Sequence, residues 1–231
     1  MTSPTPPRLD PANAEATSTF IHANTKLLTP PLVPEIRLHL AEESLPIWQK
    51  TEDELGELNV PPPFWAFAWA GGQALARYLL DHPELTRGKR VLDLGTGSGL
   101  TAIAAKLAGA ASVLAADIDL LALAAARLNA EANAATLETT AEDLLVAGKP
   151  SERAQDFDVI LVGDLFYERA LAENVLAFIE SASARGALVL IGDPKRSYFP
   201  RGRFEMAAEY QVPVTRELED AEIKRTTVWR L

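Results

Sequence analysis

The sequence predicts an α/β fold in which a parallel sheet carries helices on both faces. Three observations predict it. Strand-like apolar runs alternate with helical segments from Pro63 to Ile191. The run Val91-Leu92-Asp93-Leu94-Gly95-Thr96-Gly97-Ser98-Gly99 opens directly onto the apolar segment Leu100 to Ala108, as a strand, a tight ligand-binding loop and a helix would. With 231 residues and 48% hydrophobic content, the chain can bury a large core in one domain plus a small extension.

The elements follow in order. Met1 to Ser18 holds four prolines and no apolar core, which reads as a mobile tail and neither as a signal peptide nor as an Arg-rich transit peptide. Phe20 to Trp48 mixes apolar and polar residues around Pro30, Pro31, Pro34 and Pro46, so residues 19–60 read as a cap of short helices and turns with a linker. Thr51 to Asn59 is acidic, and Pro61-Pro62-Pro63 stiffens the approach to the main domain, 61–231. Ala74 to Leu80 is an amphipathic helix. Trp65 and Trp69 are four apart and share a face if that stretch is helical; aromatic packing and a ligand-lining role both remain open.

The glycine loop is the first chemical signal. A dinucleotide fingerprint fails, because Leu100 stands where its last glycine or alanine belongs, and no Gly-Lys-Ser or Gly-Lys-Thr follows for a phosphate loop. Asp93 would repel a pyrophosphate but attract the ammonium and sulfonium of S-adenosylmethionine (SAM). Ser112 to Ala116 is a short strand ending in Asp117, 22 positions after Gly95, where a carboxylate can accept from both ribose hydroxyls. Ile118 follows in the same cofactor-facing turn, and Asp119 reads as the N-cap of a helix from Leu120 to Ala132. A strand near Thr136 to Thr140 runs into Glu142-Asp143. Phe157 to Gly163 is a buried strand ending in Asp164-Leu165-Phe166-Tyr167, ahead of a helix from about Arg169 to Ser183; Asp164 could cap that helix and Tyr167 could be core. After the fifth strand, Arg203 to Tyr210 reads as helix, Gln211 to Arg216 as a strand broken by Pro213, and Ile223 to Leu231 as a β-rich run.

The spacing Asp93, Gly95, Gly97, Gly99 resembles the first motif of the seven-strand, Rossmann-like class I methyltransferases. Asp164-x-x-Tyr167 resembles the signature of a group of protein lysine methyltransferases. The segment Pro63-Phe64-Trp65-Ala66-Phe67-Ala68-Trp69-Ala70-Gly71-Gly72-Gln73 is similar to the one preceding that motif in the electron transfer flavoprotein β-subunit lysine methyltransferases. Pro34-Glu35-Ile36-Arg37-Leu38, Pro46-Ile47-Trp48 and Gly192-Asp193-Pro194 extend the similarity to residues 19–231. The resemblance implies a seven-strand sheet with an antiparallel C-terminal hairpin and a small N-terminal helical cap. It also implies SAM as methyl donor, with S-adenosylhomocysteine (SAH) as product and no metal, and lysines of the flavoprotein β-subunit as acceptors. Cofactor binding would fall to Trp65, Trp69, Asp93, Gly95, Thr96, Gly97, Ser98, Gly99, Asp117, Ile118 and Asp143, the last taking the adenine amino group. Asp164 would orient the acceptor amine, and Tyr167 would wall its channel.

Composition narrows the alternatives. Zero cysteines remove disulfides and thiolate catalysis, and His22, His39 and His82 are too scattered to suggest a metal pair. No apolar stretch approaches the roughly 20 residues that span a bilayer, and a formal charge of −10 argues against phosphate-backbone binding. A monomeric cytoplasmic enzyme is the expectation, without nucleic-acid or membrane partners. The basic clusters Lys195-Arg196 and Arg201-Gly202-Arg203 read as a solvated loop, or as a grip on an acidic protein partner or a phosphate. Other readings are a methyltransferase for ribosomal proteins or small amines, a SAM-binding interaction module, and a metal-dependent O-methyltransferase using Asp164 and Asp193.

Overall fold

The computed structural model describes residues 12–42, 63–146, 156–214 and 221–231. The acidic stretch, Pro46-Ile47-Trp48 and most of the N-terminal tail lie outside these residues. The expected tail nevertheless ends early. Asn13 caps a first helix, α1 (Ala14–Asn24), by accepting from the N–H groups of Glu15 and Ala16, so the helix begins inside the segment expected to be mobile. The cap then forms a two-stranded antiparallel ribbon, β1 (Lys26–Leu28) with β2 (Leu38–Leu40).

The main domain alternates as expected: α2 (Ala70–Asp81), β3 (Arg90–Leu94), α3 (Leu100–Leu107), β4 (Ser112–Ala116), α4 (Leu120–Ala132), β5 (Glu138–Thr140), β6 (Val159–Gly163), α5 (Arg169–Ala184) and β7 (Leu188–Asp193). β8 (Glu205–Pro213) and β9 (Ile223–Arg230) close the chain. One seven-stranded sheet runs β5-β4-β3-β6-β7-β9-β8, parallel from β5 to β7 and antiparallel at β9 and β8.

Strict alternation sorts the sheet's side chains between two cores. Val91, Val113, Val159, Leu161 and Leu190 point to the layer of α2 and α3. Leu92, Leu114, Ile160, Val162, Val189 and Ile191 point to α5, which answers with Val175, Phe178 and Ile179. Both faces are covered, which is why these strands read as continuous apolar runs. The order reverses at β3, whose neighbours are β4 and β6, and a crevice opens at the C-terminal ends of strands at such a reversal.

The helix expected over Arg203 to Tyr210 is a strand. Its Glu, Met and Ala residues favour helix, yet β8 pairs along β9 from Glu205↔Arg230 to Pro213↔Ile223, with a bulge between Met206 and Ala208. Sheet pairing overrides the local preference, and Pro213 is tolerated because β8 is an edge strand.

The cap is fastened by α4. Asn129, fully buried, accepts from the His39 N–H (2.6 Å) and donates to the Ser98 carbonyl (2.8 Å), while Asn133 accepts from the Arg37 N–H and donates to the Arg37 carbonyl. One side chain thus ties β2 to the glycine loop. Asn129→Ala would leave both backbone groups unsatisfied, and is expected to lower the stability by about 3 kcal/mol in urea unfolding.

Candidate active site

The loop after β3 is built on left-handed glycines. Gly95, Gly97 and Gly99 have φ of 66, 51 and 80°, and Gly99 serves as the N-cap of α3. A Cβ on Gly95 would run into the Leu165 side chain, and one on Gly99 would crowd Ala126 of α4. At Gly97 the same space is open, with the Trp65 backbone the nearest neighbour at 3.9 Å. The Thr96 N–H donates to the Ala116 carbonyl, tying the loop to the end of β4.

Asp93 turns inward. The Thr101 hydroxyl donates to its Oδ1 (2.5 Å), and the Thr96 hydroxyl (2.6 Å) and Ala102 N–H (3.2 Å) donate to its Oδ2. Burial pushes its carboxyl up to about 6 against these bonds, and it is 1% exposed. The residue therefore braces the loop from beneath. Thr96 and Ser98 are also buried, and their bonds run into the scaffold.

Asp117 stands at the rim. Its Oδ2 accepts from the Gly97 N–H (2.9 Å) and its Oδ1 from the Asp119 N–H (3.0 Å), and burial raises its pKa. Asp119 caps α4 through the Leu121 N–H, as expected. Ile118, between them, is 67% exposed. Asp143, beyond β5, is exposed and accepts from the Leu145 N–H.

Asp164 does not cap α5, whose N-cap is Glu168. It lies at φ 58° beyond β6, with its N–H on the Gly192 carbonyl and its side chain turned towards α2. Its Oδ2 accepts from the Gly72 N–H (2.9 Å); its Oδ1 accepts from Arg196 Nε (3.0 Å) and Nη2 (2.6 Å). A Cβ on Gly71 would overlap the Gly192 carbonyl and the Asp164 carboxylate, so glycine alone lets α2 approach this closely.

Trp65 and Trp69 do not share a helix face. Trp65 sits in a one-turn 3-10 helix, Phe64–Ala66; Phe67 is extended, and Trp69 is the N-cap of α2. Trp65 is buried with Ile21, Leu121 and Ala125, and its indole N–H has no acceptor among the described residues. Trp69 donates to the Phe64 carbonyl and packs edge-on to Phe64 and Phe67. Tyr167 is half exposed and not core, with its ring 5.6 Å from Phe64. Phe64, Trp69 and Tyr167 form an aromatic border beside Asp164.

The sequence reads Arg196 as part of a solvated basic loop and leaves Asp193 as half of a metal pair. Asp193 is fully buried at the end of β7; its Oδ1 accepts from the Arg196 N–H (2.7 Å), and its Oδ2 has no partner among the described residues. Burial, and then the neighbouring Asp164, push it up to about 7. Among the described residues no group of three or more His, Asp or Glu is arranged to hold a metal.

SAM chemistry can be tested against this rim. The exposed Ile118 offers an apolar platform beside Asp117, the space at Gly97 is open, and the Trp65 N–H lacks an acceptor. A nucleoside with an apolar base face, ribose hydroxyls and a polar tail fits these three features.

Comparisons with known proteins agree with the geometry. The family profile of ribosomal protein L11 methyltransferase (PrmA) matches residues 73–187. The electron transfer flavoprotein beta subunit lysine methyltransferase of Danio rerio is 38% identical over 218 residues, covering 91% of this chain and 81% of that one. The ribosomal protein L11 methyltransferase of Symbiobacterium thermophilum is 42% identical over 115 residues, covering 45% of this chain and 38% of that one. A Streptococcus mutans structure described as a SAM-dependent methyltransferase shares the fold, at 15% identity and a TM-score of 0.50, covering 71% of this chain and 49% of that one.

Asp193 gives the site a pH signature. Its folded pKa lies above its unfolded value, so its contribution to stability is full below about 3.8 and is lost as pH rises through about 7. Asp193→Asn keeps an acceptor for the Arg196 N–H and removes the ionisation. The variant is expected to melt about 10 °C above the wild type at pH 8 and level with it at pH 4, measured by calorimetry.

Proposed function

This chain belongs to the electron transfer flavoprotein β-subunit lysine methyltransferase family, and from that membership we propose that it transfers methyl groups from SAM to lysine side chains of the flavoprotein β-subunit. The observation that carries the reading is the continuous similarity to a relative so named, across 91% of this chain, which takes in the cap, the glycine loop and the Asp164 region together. The alignment with a ribosomal protein L11 methyltransferase covers less than half of the chain, so it bears on the shared core and not on the acceptor.

Bound SAM supplies an electrophilic methyl group on a sulfonium. Gly97 leaves room for its tail, and the Trp65 N–H is a donor for the tail's carboxylate. Asp117 accepts from the ribose hydroxyls; Ile118 offers the base a platform, with Asp143 as acceptor for the adenine amino group. Asp164 orients the incoming lysine, and Tyr167, Phe64 and Trp69 wall the channel and exclude water. Their ring faces tolerate methylated ammonium products by cation-π contact. Alignment of nitrogen, methyl carbon and sulfur is the main catalytic contribution of the protein. A lysine with a pKa of about 10.4 must first lose its proton, which costs about 4.6 kcal/mol at pH 7; a dry channel and the adjacent sulfonium reduce that cost.

The decisive experiment incubates the enzyme and radiolabelled SAM with recombinant flavoprotein β-subunit, ribosomal protein L11 and a free lysine analogue. Methyl-lysine on the β-subunit alone is expected; label on L11 or on the free amine would reassign the acceptor. Asp117→Ala is expected to weaken SAM binding between tenfold and a hundredfold by calorimetric titration, the cost of losing hydrogen bonds to a charged group. Unchanged affinity would remove Asp117 from the cofactor site.

A further inference from the structure

The loop after β7 contributes a group that the reaction described above does not use. The Arg196 side chain donates twice to Asp164 Oδ1, at 3.0 and 2.6 Å, and its own N–H is held by Asp193 at 2.7 Å. Its guanidinium lies 5.3 Å above the Trp69 ring. The two side chains of the ion pair are only 17% and 11% exposed. A pair so enclosed, with its geometry fixed by a backbone anchor and an aromatic face, is expensive to break.

That permanence changes what Asp164 does to an amine. A lone carboxylate beside a lysine stabilises the ammonium, which has no lone pair to attack with. A carboxylate already paired with a guanidinium still offers an acceptor for an N–H, while the guanidinium opposes the pull of the carboxylate's charge on the amine. We propose that Arg196 is a positioning residue that acts through Asp164: it balances the carboxylate so that the acceptor lysine is oriented there without being held as an ammonium. The proton leaves to solvent before attack. This inference rests on the lysine methyltransferase reading.

Other ionisable groups surround the pair. Asp193 and Lys195 come from the same loop as Arg196, Tyr167 and Glu168 from the segment after β6, Asp117 from the end of β4 and Asp93 from beneath the glycine loop; the first turn of α2 presents none. Asp193 is pushed up to about 7 by burial, with Asp164 also raising it and Arg196 lowering it, so removing Arg196 raises it further; each variant is therefore also compared in an Asp193→Asn background, where that group cannot titrate.

The test is the pH dependence of kcat and KM on the β-subunit at saturating SAM, for wild type, Arg196→Gln, Arg196→Lys and the double variant Asp164→Asn/Arg196→Gln. Arg196→Gln removes the guanidinium's charge from Asp164. Its kcat at pH 8 is expected to fall about tenfold and to return to within threefold of wild type by pH 10, with KM unchanged or lower, because a one-unit rise in the amine's pKa costs a factor of ten. Arg196→Lys keeps the charge and should keep the wild-type midpoint, and the double variant, lacking both charges, should lose the alkaline shift. A loss in Arg196→Gln that is equal at all pH values would mark a structural role and overturn the proposal, as would an unshifted profile or a shifted one in Arg196→Lys. Should Arg196→Gln fail to bind SAM, the Arg196→Lys midpoint decides alone. If wild type labels no lysine, the functional reading fails first, and that result is distinct from a wild type that labels lysine while Arg196→Gln keeps its profile.

Discussion

The carboxylate of Asp93, buried at the end of the central strand, is the constraint around which the rim of the sheet is organised. An ionised carboxylate in that position has to be met by donors, and three are supplied within nine residues by Thr96, Thr101 and Ala102. Those bonds curl the glycine loop back onto the first turn of α3. With the curl set, the Gly97 N–H meets Asp117 and the Ser98 carbonyl meets Asn129, which in turn holds the cap. One satisfied charge thus propagates from β3 to β4, α4 and β2.

The rim as a whole is an excess of buried negative charge. Asp93, Asp117, Asp164 and Asp193 occupy the C-terminal ends of β3, β4, β6 and β7, and burial raises the pKa of Asp93, Asp117 and Asp193. Arg196 offsets part of that excess through Asp164 and Asp193. Carboxylates held in poorly solvated positions favour cationic guests, and the reaction proposed for this site brings a sulfonium cofactor and a lysine that arrives as an ammonium, whose retention Arg196 opposes at Asp164. The same electrostatics that makes the apo rim costly helps to select what fills it.

Much of this was legible in the sequence because it is governed by local rules. The period of the apolar residues gave the parallel strands and the helices after β3 to within a residue or two, while α2 starts four residues before its expected Ala74; the Asp119 cap was recoverable from its position one residue before an apolar helix. Asp117 was singled out because strand ends are where ligands sit, and Asp164 by the resemblance of Asp164-x-x-Tyr167 to a lysine methyltransferase signature. What the sequence concealed depends on pairing across distance. β8 reads as helix until β9 is beside it, and Trp65 and Trp69 share a face only if the chain between them stays helical, which extended Phe67 prevents. Arg196 looked like half of a solvated basic doublet. Its partner is 32 residues away, and no periodicity connects them.

Asp164 shows how strain and packing combine to aim a side chain. A non-glycine residue at φ 58° is uncommon, and its backbone cost is of order 1 kcal/mol. The conformation persists because its surroundings fix it from three sides: the Gly192 carbonyl takes its N–H, the Gly72 N–H takes one carboxylate oxygen, and Arg196 takes the other. Two of those three partners are glycines. The space at Gly71 and Gly192 is so tight that any Cβ would push α2 away from β7, and with it the donor that fixes Asp164. The Gly71-Gly72 pair therefore belongs to the site although neither residue has a side chain to contribute, because the close approach of α2 turns the carboxylate towards Arg196 and the aromatic border.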